Sequence, residues 1–170
     1  SIAPRSIRAI LPPPAPIVLG VFTARDFVSV EGFDAGEPLT LQIIRSGVVV
    51  GVAHDVTAGD DGIAEVNHPG GGCWEGVTPN IRAGDILRVT RNDGRAYQTS
   101  IADVKVLQRA TETIAGSGIV VMKGYARDLA SGGPLPLSQI EARIIGASAD
   151  PFTINGRRSI RTGAGSEGAL

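Results

Sequence analysis

The chain has 170 residues, of which 42% are hydrophobic and 19% charged, values that are typical of a sequence that buries a core and that argue against disorder throughout. Its formal net charge of -1 argues against a nucleic-acid or membrane-surface partner, because both require a concentrated positive surface. No run approaches the ~20 consecutive apolar residues of a membrane helix, and 23 glycines with 11 prolines indicate many turns between short extended segments, as in all-β proteins.

The first 16 residues differ in composition from the rest. Pro12, Pro13 and Pro14 favour polyproline II and forbid a helix, which predicts an extended arm or linker over residues 1–16. The chain begins at Ser1 and not at a methionine, so we expect that a leader has been removed or that the chain is a fragment.

From residue 17 onward the sequence has the pattern of β-strands. Apolar Leu39, Leu41 and Ile43 alternate with polar Thr40 and Gln42, which is the period of a strand with one buried face. Similar short runs rich in β-branched residues predict seven strands, near residues 17–23, 27–33, 39–45, 48–56, 63–67, 85–91 and 97–107. Seven strands in about 90 residues fit a Greek-key sandwich.

Turn signals separate these strands. Ser46-Gly47 lies between two apolar runs, and glycine supplies the positive φ that a tight hairpin requires. Asp61-Gly62 and Asn92-Asp93-Gly94 predict turns in the same way before the strands that follow them.

Four segments carry a family resemblance. They read VSVEGFDAGEPLTL over residues 28–41, GVVVG over 47–51, DG at 61–62 and RAGDILRV over 82–89. In them the chain resembles bacterial immunoglobulin-like domains of secreted and cell-surface proteins, over roughly residues 17–107. The resemblance implies a β-sandwich that acts as a spacer, stalk or adhesion module. Antibody-type domains differ, because the single Cys73 cannot form their inter-sheet disulfide.

Part of this pattern returns near the C-terminus. The segment VEGF at 30–33 has a counterpart in MKGY at 122–125, and GEPLTL at 36–41 has one in GGPLPL at 132–137. Tandem modules would give such an echo. We therefore predict an arm at 1–16, an immunoglobulin-like sandwich at 17–108, a linker at 109–118, and a partial second β unit at 119–170 with a flexible Gly-rich tail.

The candidate binding loop contains His68, Cys73, Trp74 and Glu75, within residues 67–84. One alternative is a thiol hydrolase centred on Cys73, with a histidine raising the thiolate content. Three glycines before Cys73 and a proline soon after it oppose the helix on which such a nucleophile sits. The other reading is a long loop between the two sheets, in which Trp74 packs on the core edge and Cys73 packs as a small apolar residue.

Metal sites are weaker candidates. Zinc could use His54, Asp55, His68 and Cys73, but no close ligand pair of the usual spacing occurs. Calcium could use Asp55, Asp60, Asp61 and Glu65, but the spacing is not that of an EF-hand, and a hairpin turn explains the pair Asp60-Asp61. We expect no metal and no cofactor.

The sequence thus predicts an all-β, non-catalytic structural or adhesive module of a bacterial extracellular or cell-surface assembly. The expected partners are other protein subunits, in a homo-oligomer or filament, because a partial second unit would leave apolar strands to be covered. The alternatives are the thiol hydrolase and a ligand-binding module that uses the 67–84 loop with an accessible Trp74.

Overall fold

The computed structural model describes residues 16–112, 120–140, 142–143 and 157–158, and in these the chain is all-β, as predicted. The strands are β1 Val18–Phe22, β2 Phe27–Glu31, β3 Pro38–Arg45, β4 Val48–Thr57, β5 Ile63–Val66, β6 Ile86–Arg91, β7 Ala96–Ser100, β8 Asp103–Glu112, β9 Val120–Arg127, β10 Ala142–Arg143 and β11 Arg157–Arg158. Two 3-10 turns, Thr23–Arg25 and Leu137–Gln139, complete the described elements.

Two antiparallel sheets contain the first seven strands. One sheet has the order β1-β2-β5, and the other has the order β4-β3-β6-β7. Strands β8 and β9 form a separate two-stranded ribbon, and β10 pairs with β11.

A single hydrophobic core joins the two larger sheets. Leu41 and Ile43 of the four-stranded sheet and Val30 and Val66 of the three-stranded sheet are fully buried in one cluster. Because alternate residues of a strand face the same side, each sheet contributes one apolar face, and the two faces pack together. We call this pair of sheets the sandwich.

The predicted hairpin turns are present. Ser46 and Gly47 have φ values of 50° and 80°, the two positive values of a type I′ turn between β3 and β4. In the β6–β7 hairpin Gly94 has a φ of 84° and donates its N–H to the carbonyl of Arg91. Gly62, with a φ of 74°, closes the turn before β5.

One predicted strand is interrupted. The strand expected over 97–107 is two strands, β7 and β8, and the chain leaves the four-stranded sheet at Ile101. Ile101 is buried, donates its N–H to the carbonyl of Asp85 and accepts a hydrogen bond from the N–H of Gly84. These contacts anchor the chain to the loop before β6, so the ladder with β6 ends at Ser100.

The chain enters the sandwich at one end. Strand β1 begins at Val18, which pairs with Glu31, and runs toward the turn that contains Asp26. Val18 and Asp26 therefore lie at opposite ends of the three-stranded sheet. We call the second of these the Asp26 end.

The chain leaves the sandwich at the Asp26 end. Ile81, in the loop that leads into β6, donates its N–H to Asp26 Oδ1 at 2.7 Å. Ser100, the last residue of β7, pairs with Ile86, the first residue of β6. Entry and exit are thus separated by the length of the sandwich.

Beyond the sandwich, β8 and β9 form an antiparallel ribbon from the pair Asp103–Arg127 outward, with register irregularities after Val106 and after Gln108. The predicted linker at 109–118 begins within β8, and its residues 113–118 lie outside the described part of the chain, as do most of the arm and of the tail. The division into domains stays a prediction. Among the described residues no helix is long and apolar enough to cross a membrane.

Candidate functional site

The loop between β5 and β6 begins with a tight turn against β5, an edge strand of its sheet. Gly72 donates its N–H to the carbonyl of Glu65 at 2.7 Å, and Asn67 donates its N–H to the carbonyl of Gly72 at 2.9 Å. A side chain at Gly71 would lie 2.6 Å from the carbonyl oxygen of Glu65, so this approach requires glycine. The turn therefore covers one end of the β5 edge.

His68 belongs to a stack of rings beside this turn. Its imidazole lies 5.0 Å from the ring of Phe27, which in turn stacks on Phe22 at 4.8 Å. His68 Nδ1 lies 3.0 Å from Glu65 Oε2. The imidazole thus packs on an aromatic face and pairs with a carboxylate of the adjacent strand.

Trp74 is part of the core. Only 6% of its surface is exposed, and its Nε1 donates a hydrogen bond to the carbonyl of Asp26 at 3.0 Å. The prediction that Trp74 packs on the core is confirmed. The ligand-binding alternative requires an exposed Trp74, and the burial of Trp74 contradicts it.

Asp26 organises the contacts around Trp74. Its backbone has a positive φ of 50°, and its carbonyl also accepts a hydrogen bond from Asn67 Nδ2 at 3.2 Å. Its carboxylate accepts the N–H of Ile81. Sequence reasoning missed Asp26, because its partners lie 41 to 55 residues away along the chain.

Cys73 is exposed, so the expectation that it packs as a small apolar residue is wrong. Its neighbour Trp74 points into the core, and successive side chains of extended backbone point to opposite sides. A thiol nucleophile needs a base within hydrogen-bond reach. In the part of the chain that the structure describes, no hydrogen bond joins Cys73 to His54 or His68, and each histidine pairs with a glutamate.

Glu75 makes the most specific polar contact of the loop. One carboxylate oxygen, Oε1, lies 2.6 Å from His54 Nδ1 and accepts the backbone N–H of His54 at 3.2 Å. The backbone N–H of Glu75 donates to the carbonyl of Val52 at 2.8 Å. The hydrogen bonds from the His54 side chain and backbone hold the pKa of Glu75 below its ordinary value.

The end of this segment packs on the same strand. A side chain at Gly51 would lie 2.5 Å from Cγ of Pro79, so the proline ring rests on the bare backbone of β4. Residues 73–79, which we call the strap, therefore run along β4. This strand is the edge of the four-stranded sheet.

A buried ion pair fixes the loop at its other end. Arg45 forms a bidentate pair with Asp85, with Nε and Nη2 each 2.8 Å from a carboxylate oxygen, and Asp85 is 1% exposed. Burial by itself raises the pKa of Asp85, but hydrogen bonds from Arg45 and from the N–H of Arg82 more than offset this effect and leave the pKa below its ordinary value. Both carboxylate oxygens of Asp85 thus bind Arg45.

A second ion pair closes the opposite end of the sandwich. Arg91 Nε and Nη2 each lie 2.6 Å from an oxygen of Glu37, and Nη2 lies 2.8 Å from Asp34 Oδ2. The guanidinium also sits 5.8 Å from the ring centre of Phe33. The hydrogen bonds from Arg91 lower the pKa of Glu37.

An open groove of about 310 Å³ lies between the Asp26 end and the ribbon, with Ala24, Ile81 and Val104 among its lining residues.

In the described part of the chain no buried side-chain nitrogen or oxygen lacks a partner. No three histidine, cysteine, aspartate or glutamate side chains of the described residues converge as metal ligands would.

The structure therefore distributes the four predicted loop residues among separate tasks. His68 stacks on Phe27, Trp74 enters the core, Glu75 binds the edge strand and Cys73 faces outward. Sequence reasoning singled out the loop but missed the pairing of His54 with Glu75, because 21 residues separate them. No protein-family model, no curated protein and no solved structure matches this chain.

Proposed function

We propose that this chain is a non-catalytic structural or adhesive module, an immunoglobulin-like sandwich that links neighbouring modules in a bacterial extracellular or cell-surface assembly. The observation that carries the proposal is the path of the chain. It enters at Val18, leaves at the opposite end beyond Ser100, and continues into further β structure. A module with its connections at opposite ends sets a fixed distance between its neighbours.

The strand order supports the immunoglobulin-like assignment. In that fold strands A, B and E share one sheet and strands C, F and G share the other. Here β1, β2 and β5 form one sheet and correspond to strands A, B and E. Strands β3, β6 and β7 lie in the other sheet and correspond to strands C, F and G, and β4 lies beside β3 in the position of an additional C′ strand. The connections from β2 to β3, from β4 to β5 and from β5 to β6 each cross between the sheets.

The similarity between the segments at 36–41 and 132–137 also supports a tandem arrangement. Gly36 and Gly132, which correspond in the two copies of the motif, have φ values of 75° and 70°. Each lies in a turn after a strand, at Asp34–Glu37 and at Asp128–Gly133. The two corresponding glycines thus share a positive φ, although the turns that contain them differ in length.

The polar side chains support a role without catalysis. Asp85, Glu37 and Arg91 have perturbed pKa values, which often mark active sites, but each forms an ion pair that closes a turn or a loop. The charges of these side chains therefore stabilise the fold through ion pairs.

A thermal-shift panel of metals, sugars and nucleotides tests this proposal on the full chain. A ligand at 100 times its Kd stabilises the native state by about 2.7 kcal/mol, enough to raise the melting temperature by several degrees. We expect no such rise with any of them. A reproducible rise with one small molecule would contradict a purely structural role.

A labelling experiment separates the thiol hydrolase from this proposal. The rate at which Cys73 reacts with iodoacetamide near neutral pH is compared with that of an unstructured cysteine peptide. We expect equal rates within a factor of a few, since both histidines of the chain pair with glutamates and neither hydrogen-bonds to the thiol. A rate tenfold or more above the peptide would support an activated nucleophile.

A further inference from the structure

We propose that the strap, residues 73–79, is an edge guard that prevents β4 from pairing with the β4 strand of a second copy of the chain, and that the Glu75–His54 contact is its latch. An exposed edge strand presents unpaired N–H and C=O groups that another strand can bind. β4 is such a strand, since it borders its sheet and, among the described strands, pairs with β3 alone.

The strap occupies the positions that an added strand would use. The N–H of Glu75 donates to the carbonyl of Val52, and the carboxylate of Glu75 accepts the N–H of His54. An incoming strand needs these two groups for its own ladder. Pro79, which has no N–H to donate, covers the backbone at Gly51.

β4 has a second protective feature, which is irregular register. Its pairing with β3 shifts between Val49 and Gly51 and again between Ala53 and Val56, and Asp55 has a positive φ of 53°. Bulges of this kind are one way in which proteins protect edge strands. The strap covers the regular stretch between the two irregularities.

The edge requires protection because it is long and apolar. β4 has 10 residues, and Val48, Val49 and Val50 beside the strap are 63%, 48% and 36% exposed. Three exposed valines at the start of an edge strand favour strand addition.

A second copy is the partner that this edge fits. Two identical strands pair antiparallel about a two-fold axis, so one surface satisfies both subunits. In a pair centred on Val52, the valines of each copy lie opposite the His54 region of the other. No charged group in Val48–Ala53 opposes its equivalent.

The latch depends on one side chain, so one substitution removes it. Glu75→Ala removes the carboxylate that binds both the side chain and the backbone N–H of His54. The matched control is Asp93→Ala, which removes another exposed carboxylate, paired with Arg95 in the β6–β7 turn away from β4. A third variant, Glu75→Lys, keeps a long polar side chain but cannot accept the hydrogen bonds from His54, in case the alanine variant does not fold.

Light scattering and hydrogen exchange are measured on the full chain at several concentrations, with the size of the unsubstituted chain as the baseline. We expect the Glu75→Ala chain to double in mass relative to this baseline, with amides 50–54 better protected as concentration rises. Asp93→Ala is expected to keep the baseline mass.

Three results would overturn the proposal. One is a folded Glu75→Ala chain that keeps the baseline mass. Another is a larger species in which amides 50–54 gain no protection, because assembly then uses a different surface. The last is an equal increase in mass for Asp93→Ala, which would assign the effect to loss of charge. Cooperative urea unfolding followed by far-UV circular dichroism reports which variants are folded, because Trp74 itself belongs to the strap. The Glu75→Lys chain is judged by the same criteria if the alanine variant is not folded.

Discussion

The indole nitrogen of Trp74 donates a hydrogen bond to the carbonyl of Asp26 at 3.0 Å, across 48 residues of sequence. This contact joins the loop after β5 to the turn between β1 and β2. It also explains why a loop rich in glycine holds a fixed position.

Trp74 is the only tryptophan, so its fluorescence reports on this contact directly. We expect a blue-shifted emission and slow quenching by acrylamide in the folded chain, because the indole is buried. Unfolding in guanidinium should red-shift the emission and raise the quenching rate to that of a free tryptophan peptide. Red-shifted, rapidly quenched emission from the folded chain would place Trp74 on the surface.

Asp85→Asn should destabilise the chain strongly, because it leaves the Arg45 guanidinium without its charged partner. Breaking a buried ion pair costs about 3–5 kcal/mol, and we expect about 3 kcal/mol here, since a third of the Arg45 side chain remains in water. Urea unfolding measures the change. Asp93→Asn, which alters a solvent-exposed pair, is the control and should cost far less, because water screens exposed ion pairs. Equal losses for the two variants would show that burial of Asp85 has no energetic consequence.

The ion pairs also predict how stability depends on pH. The pKa values of Glu37 and Asp85 are below their ordinary values in the folded chain. The unfolded chain therefore binds more protons in acid, and stability is complete above the unfolded pKa of about 4 and falls as pH falls through the folded values. Urea midpoints between pH 7 and pH 2 should show this fall below about pH 4. In Asp85→Asn the fall should be smaller, and an unchanged pH profile would contradict the assignment.

Gly51→Ala tests the packing of the strap on β4. A methyl group there would lie 2.5 Å from the Pro79 ring, so the strap must shift, at a cost of about 1–3 kcal/mol for overpacking. Gly133→Ala is the control, because its nearest neighbour would lie at an ordinary 3.5 Å. Thermal unfolding should show a lower melting temperature for Gly51→Ala only. Equal melting temperatures for both variants would show that Pro79 does not press on β4.

Much of the sandwich could be predicted from the sequence because its signals are local. Alternation along Leu39–Ile43 and the Ser46-Gly47 turn each depend on neighbouring residues, and the structure has both. The burial of Trp74 followed from its size within a polar loop. The exposure of Cys73 could not be predicted in this way, because it depends on the side of the backbone to which its side chain points.

The remaining features depend on contacts between distant residues. The break after Ser100 follows from hydrogen bonds of Ile101 with Gly84 and Asp85. The apolar positions also change parity after Ile101, from Tyr97 and Ile101 to Val104 and Val106. The partnership of Glu75 with His54 likewise requires the loop to lie along β4. Neither set of hydrogen bonds has a signature in a single sequence.

Single-molecule force spectroscopy, with the full chain held at its two ends, tests the proposed structural role most directly. A module that spaces its neighbours must stay folded under tension and yield as one unit. We expect one discrete unfolding step, whose gain in length corresponds to the residues between Val18 and Ile101. Smooth extension without a step would contradict the proposal that the sandwich sets a fixed distance between neighbouring modules.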